Sequence, residues 1–87
     1  MFWGLLMELK EQFNYLVEVA RKMGYRVFID SILSPGGDCR VYENKYIIIN
    51  RKLPVRMKVK LLKEILAQRV DENTFLEPRA RKLLGVE

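Results

Sequence analysis

The 87-residue chain carries 16 lysines and arginines against 11 acids, one cysteine and no histidine. That length makes a single domain, residues 1–87, and its 49% hydrophobic content is too high for a disordered chain. A lone cysteine excludes an internal disulfide framework and argues for a reducing, cytoplasmic location. Without histidine the commonest general base, neutral metal ligand and pH switch are missing, so most enzyme classes weaken.

The apolar start, Met1 to Met7, has no basic leading region, and Glu8 follows before any small-residue cleavage site. No apolar run approaches the ~20 residues that span a bilayer. A soluble, unprocessed protein with no membrane partner is expected. In residues 5–23, Leu5, Leu6, Leu9, Phe13, Leu16, Val17, Ala20 and Met23 recur at steps of three and four. This predicts an amphipathic helix that Gly24 ends in a left-handed conformation.

Residues 25–30 alternate Tyr25, Val27 and Ile29 against Arg26, Phe28 and Asp30, a strand with both faces partly apolar. Residues 34–38, Ser-Pro-Gly-Gly-Asp, predict a turn. Residues 39–42 and 45–50 read as two strands joined by a hairpin at Glu43-Asn44, where asparagine tolerates positive φ. The β-branched run Ile47-Ile48-Ile49 suits a central, buried strand. A second helix is expected from Met57 or Lys58 to Val70, with Leu61, Leu62, Ile65, Leu66 and Val70 on one stripe. Asp71-Glu72-Asn73 breaks it, Phe75-Leu76 forms an apolar plug, and Pro78 opens a short helix to Leu84 before Gly85. The expected fold is α+β: a three-stranded antiparallel or mixed sheet with helices packed on one face, in the order helix, strand, hairpin, helix, short helix.

Four features invite a functional reading. Gly36, Gly37, Cys39 and Arg40 form a candidate ligand or thiol site, since an arginine beside a backbone-rich turn lowers a thiol pKa. The favoured alternative makes Cys39 a small buried residue of the strand and the glycines turn-formers. Arg51, Lys52, Arg56, Lys58, Lys60 and Lys63 are candidate nucleic-acid contacts, against a solvated helix face. The stacking aromatics of single-strand binders are missing from that segment, and Tyr42 and Tyr46 are the nearest. Phe2, Trp3, Leu5 and Leu6 are a candidate interface, or else a helix start folded onto the sheet. Asp30, Asp38 and Glu43 have no recognised ligand spacing and read as solvated. No catalytic, cofactor or metal residue is read.

The run Gly36-Gly37-Asp38-Cys39-Arg40, then Ile49-Asn50, Leu53-Pro54 and Phe75-Leu76-Glu77-Pro78, resembles a group of short bacterial proteins. These share a Gly-Gly-x-Cys hairpin, an Ile-Asn strand end and a Leu-Pro helix start. The resemblance spans about residues 5–84; it implies the same architecture and no chemistry. Residues 46–68 also resemble the strand–helix core of small bacterial zinc peptidases, whose helix carries His-Glu-x-x-His. Here Glu64 and Gln68 stand at the ligand positions and Ile65 at that of the catalytic base. The similarity therefore implies a scaffold without its metal site. The expected function is a small non-catalytic binding or assembly module, with a homo-oligomer or other protein as partner. Nucleic-acid binding through the basic helix face is the alternative, and a Cys39-based redox or ligand site comes third.

Overall fold

The computed structural model describes residues 8–86. The first helix, α1, runs Leu9–Lys22. Glu11 in its first turn and Arg21 and Lys22 in its last complement the helix dipole. Gly24, at φ 95°, turns the chain back along the helix into β1, Tyr25–Asp30. Strands β2, Gly36–Val41, and β3, Asn44–Asn50, form the hairpin. Helix α2, Val55–Arg69, and the short α3, Pro78–Leu84, complete the chain.

The sheet order is β1-β3-β2, with β3 parallel to β1 and antiparallel to β2. The sheet is therefore mixed, and the last strand in sequence occupies its middle. Strand alternation divides the three Ile residues. Ile47 and Ile49 point to the helix side and are wholly buried, whereas Ile48 points to the other face and is half-buried. Ile47 and Ile49 join Leu16 of α1 and Leu62 and Leu66 of α2, none with any exposed surface. Each such side chain contributes about 1.5–3 kcal/mol by leaving water. Leu76, Ala80 and Leu84 extend this core, so α3 is held by its apolar stripe. Among the described residues, the helices cover one face of the sheet and leave the other open.

Three boundaries differ from the sequence reading. The glycines expected in a turn open β2 instead: Gly36 pairs with Ile49 and Gly37 with Ile48. The turn is confined to residues 31–35, because Asn50 fastens it. The Asn50 amide donates to the carbonyls of Ile32 and Ser34, each at 3.1 Å. The hairpin turn falls at Tyr42-Glu43, one residue earlier than expected, because the register pairs Val41 with Asn44. Tyr42 therefore takes the left-handed conformation, φ 58°, and the Arg40 Nε–H donates to its carbonyl at 3.0 Å. Finally, α2 begins at Val55, right after Pro54.

Gly36 leaves no room for a side chain. It sits at φ 134°, and a Cβ there would lie 2.2 Å from the Ile48 carbonyl oxygen. Around Gly37 no atom of the described residues lies within 4 Å of where a Cβ would stand. Gly36→Ala should therefore cost at least ~2 kcal/mol through strain and clash. Gly37→Ala should be neutral or slightly stabilising in the same denaturant titration. Equal losses for the two would refute this account of the hairpin's glycine pair.

At the α1–α3 junction the Tyr15 hydroxyl is buried beside the Glu77 carboxylate. Burial, then the neighbouring Glu77 carboxylate, pushes its pKa from 10.0 up to about 12. A raised pKa means the folded state keeps a proton that the unfolded state has lost. This contribution to stability is intact below pH 10 and disappears as the pH rises towards 12. Tyr15→Phe should flatten the alkaline limb of the stability–pH curve across that interval. An unchanged limb would show that Tyr15 does not govern it.

Candidate functional site: the open sheet face and the cleft behind it

The open face is built by alternation. From β1 it takes Arg26, Phe28 and Asp30; from β3, Asn44, Tyr46, Ile48 and Asn50; from β2, Gly37, Cys39 and Val41. Phe28 and Tyr46 meet across the parallel pair, ring centroids 5.9 Å apart and tilted by 34°. Phe28, near the middle of this face, remains 49% exposed, and Val41, at its hairpin end, 50%, so apolar surface faces water here. Among the described strand residues its only charges are Arg26 and Asp30, two residues either side of Phe28 on one strand. The face is thus neutral in a chain of formal net charge +5.

Behind the sheet, on the helix side, lies a polar cleft of about 410 Å³. Tyr25 of β1, Asp38 and Arg40 of β2, Lys45 of β3, Arg69 ending α2, and the Asp71–Thr74 turn converge on it. Asp38 accepts from the Arg69 Nε–H at 2.7 Å. The Lys45 ammonium donates to the Met23 carbonyl at 2.8 Å and lies 4.7 Å over the Tyr25 ring. The Thr74 hydroxyl and the Asn73 amide hold the Asp71 carboxyl below its ordinary pKa. Burial, reinforced by the Asp38 charge, raises that of Tyr25.

The residues singled out in the sequence are scattered over this frame. Gly36, Gly37, Cys39 and Arg40 share β2; of the four, Cys39 and Arg40 both border the cleft, and the two glycines do not. Cys39 is exposed, which corrects its reading as a buried strand residue: β2 is an edge strand, and Cys39 lies on its uncovered side. Arg40 alternates to the opposite face and is engaged with Tyr42, so it is not the thiol's partner. Of the basic set, Arg56, Lys60 and Lys63 recur at helical spacing on one stripe of α2. Lys58 leaves that stripe, its ammonium 5.9 Å from the Phe13 ring centroid on α1. Arg51 ties down β1, donating to the Ile29 carbonyl at 3.0 Å, and Lys52 follows in the turn. Glu64 and Gln68 are exposed and Ile65 is buried among core residues. Of the acidic set, Asp38 belongs to the cleft, Asp30 to the open face, and Glu43 to the hairpin turn. The candidate interface of Phe2, Trp3, Leu5 and Leu6 lies outside the described residues.

The open face and the cleft were both missed. Phe28 was already visible as the apolar member of the polar side of β1. Lys45, Arg69, Asp71 and Thr74 come together only through the strand order. Among the described residues no helix is long and apolar enough to cross a membrane. Compared with protein-family models, curated proteins and solved structures, the chain matches none.

Exposure of Cys39 has a direct chemical consequence. At high dilution, its alkylation in the native protein should run at a rate close to that of the denatured protein. Strong native protection under those conditions would contradict its placement on the uncovered face.

Proposed function

We propose that this chain is a small binding and assembly module that docks a second copy of itself through the open face of its sheet. One observation carries the reading: Phe28, with Ile48 beside it and Tyr46 against its ring, forms a partly exposed apolar surface on the face that the described helices do not cover. An exposed surface of this kind favours a protein partner. Its neutrality favours a second copy over a polyanion, because phosphate recognition needs an excess of cations at the contact.

The charges supply a symmetry argument. A two-fold interface pairs residue i with j and j with i. An axis crossing the strands at the level of Phe28 and Ile48 stacks the two apolar centres. It also brings Arg26 of each copy opposite Asp30 of the other. Three strands about 4.8 Å apart, at about 3.3 Å per residue, give a face of roughly 15 by 20 Å. That is below the ~800 Å² per partner of a standard interface and places the association in the transient class.

Sedimentation equilibrium should detect a reversible dimer, with Cys39 alkylation slowing as protein concentration rises. Phe28→Lys should return the protein to monomer. Arg26→Asp and Asp30→Arg should each weaken association, and the two together should restore it. A monomer at every concentration, or an association indifferent to Phe28→Lys, would overturn the reading.

A further inference from the structure

The geometry points to the cleft behind the sheet as a binding site for a small phosphate-class oxyanion, independent of the docking face. The argument is an inventory of hydrogen-bonding groups. Both carboxylates in the cleft are already engaged. Asp38 accepts from Arg69 at 2.7 Å. Asp71 accepts from the Asn73 amide at 2.9 Å and the Thr74 hydroxyl at 3.0 Å. The three cations are not used up. An ammonium carries three N–H donors and a guanidinium five. Lys45 uses one on Met23, Arg40 one on Tyr42, and Arg69 is engaged through Nε with Asp38 and also with the Tyr25 hydroxyl. The remaining capacity of the cleft is therefore mostly donors, with three positive charges against two negative ones. Charge-assisted bonds from two guanidiniums and an ammonium suit an oxyanion carrying more than one charge.

Placement supports the same conclusion. Arg40, Lys45 and Arg69 come from β2, β3 and the end of α2, so the backbone positions that carry the cations are set by the sheet and the helix packed on it. The Lys45 ammonium is held by the Met23 carbonyl and the Tyr25 ring, so little of its freedom is left to lose on binding. A cleft of about 410 Å³ falls within the range of small-molecule sites and has room for more than a bare ion. Phosphate itself and the phosphoryl group of a small metabolite offer the same chemistry; the test separates them.

The experiment is an amide NMR titration of the intact protein with inorganic phosphate and, separately, glycerol 2-phosphate, at constant ionic strength. Saturable shifts confined to the Lys45, Arg69 and 71–74 amides are expected with either probe. Tighter binding of glycerol 2-phosphate would identify the organic phosphate as the preferred form; equal or tighter binding of phosphate would identify the free ion. Lys45→Met should weaken binding about tenfold, as expected for losing a charge-assisted contact. Lys60→Gln removes the same charge from the α2 stripe and should leave affinity unchanged. No saturable shift with either probe, or equal weakening by Lys60→Gln, would overturn the site. The titration run on Phe28→Lys separates the two readings, since an anion site behind the sheet survives loss of the docking face.

Discussion

Everything in this fold depends on β3 being enclosed. The strand has a hydrogen-bonded neighbour on either side and two helices beneath it. With Ile47 and Ile49 wholly buried, it contributes the floor of the core. In a domain this small few side chains are fully sequestered, so the layer where α1 and α2 meet these isoleucines carries much of the stabilisation. The Gly36 approach follows from the same constraint. For β2 to reach the end of β3 its first residue must run against the Ile48 carbonyl, and only a residue without Cβ does so unstrained.

A single layer of helices over a single sheet gives the molecule two unlike sides. The helix side collects the charge: the basic stripe of α2, the cleft with its engaged carboxylates, and the ammonium held on Tyr25. The open side is balanced and apolar at its centre. The same three strands serve both, because alternation sends Tyr25, Asp38, Arg40 and Lys45 one way and Phe28, Cys39 and Tyr46 the other. Neighbours in sequence thus belong to sites with opposite preferences, as Lys45 and Tyr46 show.

Periodicity made the elements legible. The helical stripe through Leu16 and Ala20, the alternation of β1, and Pro78 with Gly85 bracketing α3 all survive in the structure. Local turn chemistry misled at two points. Gly36-Gly37 has the composition of a turn, yet the second glycine is an ordinary strand residue and the first is fixed by a contact across the hairpin. The hairpin turn went to Tyr42, a poor candidate by propensity, because register prevailed over local preference. The candidate site was less legible than the fold. Its residues span positions 25–74 and are neighbours only once β3 lies between the other two strands. No spacing rule carries that information, since strand order is a property of the whole sheet.

The central position of β3 also sets the order of assembly. The β2–β3 hairpin closes between neighbours in sequence, whereas β1 pairs with β3 across some twenty residues, Tyr25 with Lys45 through Asp30 with Asn50. Loop closure is cheapest for the short connection, so the hairpin is the natural nucleus, onto which α1 and β1 dock. During synthesis from the N-terminus, α1 and β1 emerge first and have no partner strand until residue 50 has followed. In that interval only α1 can cover Val27 and Ile29 on one side of β1, and both hydrogen-bonding edges of the strand are unpaired. This half-built state is therefore the stage most exposed to wrong pairing between chains.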